Sequence, residues 1–320
     1  MKCVVEIGNF AAYVGIHRTV NNKGNKTADK RPFLPTVMNE IEKRRGSVSK
    51  STLENELTAV RSFVKNAGGS LTFSDLTPEL IQRYEKSLLN RGLLPNTSAC
   101  YLRSLRAVLN RCQVDGSRLF GDVHTGREET EKRAADEGTI RKIKALCLKE
   151  DSVEHRARVL FIFSIMAMGI PFVDLAHLRK SDVRNGYIIY HRRKTGKRVK
   201  VKMEPCMQKI IDRFGRHDGS YLFPLLKTGS EREYLTLLSR YNRALGRLSA
   251  KLRLSQKLTS YTVRHTWATM AYCKGTPLAV ISKALGHSSP VVTQNYLKEI
   301  DDEAVVQANS RILREINRLR

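Results

Sequence analysis

The sequence predicts a mainly helical protein in two domains, with one small β-hairpin in the second. Three observations lead there. Apolar residues recur at spacings of three and four over residues 53–109, the period of helices with one buried face. A polar, charge-mixed run from Gly126 to Ala135 interrupts that pattern and reads as a linker. Beyond it, β-rich residues and apolar–basic alternation between Val183 and Met203 stand apart from their helical surroundings. A length of 320 residues suits two cores, because single cores stop growing near roughly 250–300 residues.

The expected boundaries are an extension over 1–36, a helical domain over 37–124, a linker over 125–135 and a second domain over 136–320. Residues 1–36 are poorly patterned, and Asn21 to Arg31 is polar. Leu53, Leu57, Val60 and Val64 mark one helix face, which Asn66-Ala67-Gly68-Gly69-Ser70 ends. Thr77-Pro78 is an N-cap with proline at the first helical position. It opens a helix carrying Leu80, Ile81, Tyr84 and Leu88, which Gly92 closes. Asn96-Thr97 starts another, with Tyr101, Leu102, Leu105, Val108 and Leu109 inward and Arg103, Arg106 and Arg111 outward.

In the second domain an apolar helix from His155 to Met168 is broken by Gly169 and Pro171. The hairpin follows: Gly186 to Tyr190 is one strand, Lys194-Thr195-Gly196-Lys197 the turn, and Val199 to Lys202 the return, with a basic tip. Three short helices come late. Thr262 to Cys273 stops at Gly275, the next is capped by Thr276-Pro277 and ends at Gly286, and Ser289-Pro290 caps a third that carries Tyr296. From Asp302, Val305, Val306, Ile312 and Ile316 form a loosely helical face.

Charge narrows the function. Lys and Arg number 57 against 31 Asp and Glu, a formal charge of +26 spread along the whole chain, which implies a polyanionic partner, double-stranded DNA above all. No segment approaches the roughly 18 uninterrupted apolar residues of a membrane span, and no terminal amphipathic anchor stands out. The six cysteines form no CxxC pair and read as reduced, buried thiols of a cytoplasmic, nucleoid-associated protein. The short apolar run at the N-terminus is broken by Glu6, unlike a secretion signal.

The chemistry concentrates late in the chain. Tyr296 carries a phenol, a poor nucleophile unless positive charge stabilises its anion. Arg264 offers a planar fork of donors to two phosphate oxygens and cannot lose its charge. Tyr261, three residues earlier, is expected on the same helix face. His287 follows a helix-ending glycine, which places an imidazole at an element end to donate to a phosphate oxygen or exchange a proton. Lys194, at the hairpin tip, is placed to protonate a leaving oxygen, with Arg192, Arg193, Lys197 and Arg198 around it and Arg103 and Arg106 in the first domain as phosphate contacts. Singly, each of these is more often an ordinary surface or packing residue.

Together they resemble the tyrosine recombinase (phage integrase) family, of the site-specific integrase and invertase type found in mobile elements. Leu258 to Thr269 is similar to the family's His-x-x-Arg box, Leu285 to Tyr296 to its Leu-Gly-His…Tyr box, and Phe172 to Val183 to the segment after its first arginine. Lys194-Thr195-Gly196 resembles the hairpin lysine, and residues 37–122 resemble the core-binding domain. The resemblance implies a two-domain, C-shaped clamp on DNA. In it Tyr296 attacks the scissile phosphate to give a 3′-phosphotyrosine, and two rounds of exchange pass through a Holliday junction without metal, ATP or other cofactor. It implies Arg264 and His287 on the non-bridging oxygens, Lys194 as general acid, and a homotetramer on paired sites. The need for an accessory DNA-bending protein stays open, and residues 1–36 are too short for a complete arm-binding domain.

Two positions depart from the pattern. Tyr261 stands where the first-box histidine is usual, and Pro171 stands in the place of the first arginine, with no arginine between Arg158 and Arg179. Losing one of two guanidiniums costs several kcal/mol of transition-state stabilisation. Arg158 is one substitute, but a straight helix places it roughly 20 Å from Pro171; Arg192, Arg193 and Arg198 are the others. A DNA-binding relative impaired in catalysis and a type IB topoisomerase-like enzyme are the alternative readings.

Overall fold

A computed structural model describes residues 29–128, 134–150, 152–215 and 218–287. It adds short pieces at 6–7, 10–11, 293, 309–310 and 313. Contacts divide the chain into two compact units, residues 1–129 and 130–320. The mainly helical class with one small sheet is what the sequence predicts.

In the first unit, strands β1 (Glu6–Ile7) and β2 (Phe10–Ala11) pair antiparallel. The helices are α1 (Phe33–Glu42), α2 (Lys50–Ala67), α3 (Pro78–Asn90), α4 (Pro95–Arg111) and the single turn α5 (Gly116–Leu119). Ser49 Oγ accepts the Thr52 N–H at the start of α2, and Gly68 in the left-handed region ends it, as its sequence signals require. Thr77 caps α3 as expected. α4 begins at Pro95, one residue before the expected start, because proline suits the first helical position. α1 starts at Phe33, inside the stretch that looked unpatterned; Phe33 packs with Phe63 and Phe73 in the core.

The outward placement of three α4 arginines needs correction. Arg103, Arg106 and Arg111 are all half-buried. Arg103 donates to the carbonyls of Thr125 and Gly126, at 2.7 and 2.6 Å, and Arg111 donates to Glu56 Oε2 at 2.7 Å. Glu56 is itself 4% exposed and also accepts from Arg44 at 2.6 Å. A buried carboxylate is held only where partners replace its lost water, and two guanidiniums do so here.

The second unit begins with α6 (Glu137–Ala145) and α7 (Val153–Met166), then the short α8 (Phe172–Ala176). Ser152 caps α7, and Met168 and Gly169 at φ 56 and 68° turn the chain into Pro171, the N-cap of α8. A three-stranded antiparallel sheet follows, of β3 (Val183–Arg184), β4 (Tyr187–His191) and β5 (Arg198–Lys202). The Asn185-Gly186 turn, φ 51 and 72°, joins β3 to β4 as a tight hairpin demands. Val199 and Val201 are buried while Arg198, Lys200 and Lys202 are exposed, the alternation of a strand with one core face.

Two helices not foreseen come next, α9 (Pro205–Phe214) and α10 (Glu231–Lys251). The signal for α10 was present: Ser230 accepts the Glu233 N–H, the start of a capping pattern, and Tyr241, Leu245 and Leu248 recur inward. The late helices are α11 (Thr262–Cys273) and α12 (Leu278–Leu285), the latter preceded by Pro277 rather than capped by Thr276. Ala268, Ile281 and Leu285 join the two, with Trp267 against them. The third late helix, with Tyr296, and nearly all of the terminal segment lie outside the described residues.

The thiols also differ from expectation. Cys112 is buried and Cys100 half-buried, but Cys147, Cys206 and Cys273 are exposed; all five are free, and Cys3 lies outside the described residues. No helix among the described residues is long and apolar enough to cross a membrane.

Replacing Glu56 with alanine leaves two half-buried guanidiniums without their carboxylate. The unfolding free energy of the first unit is expected to fall by about 3 kcal/mol, read by urea melts followed by far-ultraviolet circular dichroism. A change within about 0.5 kcal/mol, the range of an ordinary surface substitution, would contradict the role given to Glu56.

Candidate active site

Arg264 is carried into the interior by the way α11 starts. The incoming chain is tied to α10: the Leu258 N–H donates to Ser249 Oγ and the Ser260 N–H to Asn242 Oδ1, each at 2.8 Å. Thr262 Oγ1 accepts the Thr259 N–H at 3.0 Å. One turn on, Arg264 is only 3% exposed. A guanidinium this deep must find acceptors. It donates through Nη1 to the Gly169 carbonyl at 3.3 Å and through Nη2 to the Leu285 carbonyl. Gly169 permits the approach, since a Cβ there would lie 3.1 Å from Arg264 Cα.

The Leu285 carbonyl is available for a physical reason. It belongs to the last residue of α12, so it has no partner within the helix and sits at the negative end of the helix dipole. Gly286, at φ 63°, turns the chain away and leaves the oxygen facing α11 and the hairpin. A side chain at Gly286 would press on Val199 and on Arg192 Cγ, at 3.0 and 3.1 Å.

Arg192 uses the same oxygen. Its Nη1 donates to the Leu285 carbonyl, and its Nε lies 2.7 Å from Asp174 Oδ2, an ion pair whose angle falls outside hydrogen-bond geometry. Asp174 Oδ1 accepts the Arg193 N–H at 2.9 Å. One carboxylate on α8 therefore ties both the side chain and the backbone of the hairpin turn. The Arg192 and Asp174 side chains are 7% and 1% exposed. Burial pushes the Asp174 carboxyl upward, against the Arg193 N–H and the guanidiniums of Arg192 and Arg264.

His287 follows directly. Its N–H donates to the Ser282 carbonyl at 3.0 Å, its Nδ1 pairs with Thr293 Oγ1 at 2.9 Å, and its carbonyl accepts from Lys197 Nζ at 3.2 Å. Burial, then the positive charges of Arg264, Arg192 and Lys194, hold its imidazole down to about 4. Three cations from two elements are thus near enough to act on one ring. Lys194 is exposed on the turn, which is fastened by Thr195 Oγ1 donating to the Gly286 carbonyl at 3.3 Å.

The remaining expected site residues divide. Arg193 and Arg198 are exposed on the hairpin. Tyr261 is the N-cap of α11, 53% exposed, with its ring edge-on to His265 at 4.9 Å; it does not share the buried face of Arg264. Arg158 stands apart, donating to the carbonyls of Lys144 and Leu146 where α6 passes to α7, because α7 runs unbroken to Met166 and carries it away from Pro171. Arg103 and Arg106 belong to the first unit. The residue that sequence reasoning passed over is Asp174, one acid in an apolar segment, with no local signal of its burial. Among the described residues, no group of three His, Cys, Asp or Glu is placed to hold a metal ion.

Two guanidiniums bonded to one oxygen lie within about 6 Å of each other at ordinary hydrogen-bond lengths. Their repulsion is offset by one carboxylate and one carbonyl, which leaves a net positive cluster close to the His287 imidazole. Such a cluster favours an oxyanion. In the free protein the His287 ring is expected to stay neutral down to about pH 4, so its imidazole resonances, assigned with His287→Gln, titrate near there. A midpoint near 6.5, the value for an unperturbed imidazole, would contradict the electrostatics described.

Comparison with known proteins gives this arrangement a context. Residues 136–303 match the phage integrase family and residues 32–116 match the phage integrase SAM-like domain. Among characterised relatives, tyrosine recombinase XerC of Chlorobaculum parvum is 24% identical over 283 residues, covering 76% of this chain and 84% of that protein. Tyrosine recombinase XerD of Caulobacter vibrioides is 24% identical over 277 residues, covering 78% and 88%. The fold is shared with the Tn1549 transposon integrase bound to transposon right-end DNA (TM-score 0.66, 16% identity, 87% of this chain and 98% of that one). It is shared too with a lambda integrase tetramer on a Holliday junction (TM-score 0.65, 16% identity, 83% and 77%). The cluster formed by α11, α12 and the hairpin lies wholly within the first matched segment, and the chain belongs to the phage integrase family, as a tyrosine recombinase.

Proposed function

We propose that this chain cuts and rejoins DNA at specific sites as the integrase or invertase of a mobile element, through a covalent 3′-phosphotyrosine on Tyr296. The observation that carries the reading is that Arg264 and the hairpin turn bearing Lys194 are both fastened to the end of α12, at Leu285 and Gly286, next to His287. A phosphodiester bound there receives donors where negative charge grows in the pentacoordinate transition state.

In the first step the Tyr296 Oη–phosphorus bond forms and the phosphorus–O5′ bond breaks. Lys194 gives its proton to the leaving O5′. The phenolic proton passes to a base, a role open to the neutral His287 imidazole. The free 5′-hydroxyl of one strand then attacks the phosphotyrosine of the partner strand, which reverses the proton movements and releases Tyr296. No free energy leaves the phosphodiester, so no nucleotide hydrolysis is needed. Tyr261, exposed at the start of α11, would donate to the phosphate in place of the usual histidine. Lys197, Arg193 and Arg198 serve the flanking phosphates.

The relatives support a homotetramer on paired sites, since lambda integrase forms a tetramer on a Holliday junction. A DNA-binding relative impaired in cleavage is the second reading, favoured by Pro171 at the place of the first arginine.

Covalent trapping separates the two. Incubated with nicked duplexes from the DNA flanking its own gene, the protein is expected to give a denaturation-resistant adduct that Tyr296→Phe abolishes. Tight, salt-sensitive binding without an adduct would establish the second reading instead.

A further inference from the structure

The place of the first arginine holds Pro171, yet two buried guanidiniums meet at the Leu285 carbonyl. We propose that Arg192, from the hairpin turn, is a further catalytic residue of the strand-transfer site. Held by Asp174 and the Leu285 carbonyl, it binds the second non-bridging oxygen of the scissile phosphate opposite Arg264. The inference rests on the function proposed above and names which side chain completes it.

Geometry supports this in three ways. Arg192 and Arg264 donate to one and the same oxygen, so their side chains reach a common point from different elements. Arg192 is fixed before substrate arrives: Asp174 holds Nε and Leu285 holds Nη1, while Nη2 makes no hydrogen bond among the described residues. And the oxygen they share belongs to Leu285, two residues before His287, the third expected phosphate-binding group. Arg193 and Arg198, on the same hairpin, are exposed, and Arg158 is bonded to carbonyls at another junction. Asp174 is then a positioning residue, which orients the fork and ties the turn that carries it through the Arg193 N–H.

A bland alternative exists: Arg192 and Asp174 as a buried pair that only fastens the hairpin to α8. Charge on the substrate distinguishes the two. A guanidinium that neutralises a phosphate oxygen becomes dispensable when that oxygen is replaced by an uncharged methyl group. A fastening role does not respond to the substrate at all.

The experiment uses the full chain and nicked duplexes with either a phosphodiester or a methylphosphonate at the scissile position. Arg192→Ala is expected to form adduct on the phosphodiester at least about 100-fold more slowly than wild type, the loss seen when one oxyanion donor is removed. On the methylphosphonate it is expected to recover to within about 10-fold of wild type on that substrate. Equal losses on both duplexes, in a variant that still binds DNA with wild-type affinity, would overturn the proposal, as would no loss on the phosphodiester. Should Arg192→Ala melt below wild type, Arg192→Gln, which keeps an amide donor toward Leu285, is read by the same two rates and the same criteria. Absence of adduct with the wild-type chain on both duplexes would instead count against the function itself.

Discussion

The carbonyl of Leu285 is the point on which the candidate active site is assembled. A helix end leaves its last carbonyls without partners, and burial makes such an oxygen costly unless a donor reaches it. Here two donors reach it, one from α11 and one from the hairpin turn. The same helix end delivers His287 one residue beyond Gly286. One unsatisfied oxygen thus gathers both guanidiniums and the imidazole, drawn from stretches of sequence about 90 residues apart.

The fold spends stability to hold this cluster. Two cations so close repel, and at an effective dielectric near 20 a pair at about 6 Å costs on the order of 3 kcal/mol. Asp174 and the Leu285 carbonyl offset part of that. Burial is the first cause of the depressed basicity of His287, and the charges of Arg264, Arg192 and Lys194 add to it. Rigid placement is what burial contributes in return. The turn carrying Arg192 is fastened by Asp174 to α8 and by Thr195 to Gly286, so its donors need no reordering when an anion enters. The hydrophobic contacts of Ala268, Ile281 and Leu285 hold α12 against α11 and so keep the carbonyl in place.

The first unit also sets one carboxylate against two guanidiniums, but with a different burial. Its Glu56 is buried while Arg44 and Arg111 are half-buried, so their surplus charge is shared with solvent. In the second unit both guanidiniums are themselves buried, and the surplus charge stays inside.

Much of this was legible in the sequence, for local reasons. Helix ends at Gly68, Gly286 and the Thr77-Pro78 cap followed from backbone chemistry that needs no tertiary context. The hairpin followed from alternation at Val199 and Val201. Arg264, His287 and Lys194 were recognisable as a set through their resemblance to the family's boxes, which the helix interior, helix end and turn tip they occupy made plausible. Where local signals failed, packing had overridden them: Arg103, Arg106 and Arg111 looked like an outward stripe, but acceptors from other segments drew them partly inside. The position of Arg192 could not be read from residue order at all. Five basic residues lie between Arg192 and Arg198, and only the approach of Asp174 from α8 and Leu285 from α12 decides which one is buried beside Arg264. The sequence alone determined the kinds of residue at hand and the elements that bear them; tertiary structure decided which cations share an oxygen, because that depends on where separate elements end in space.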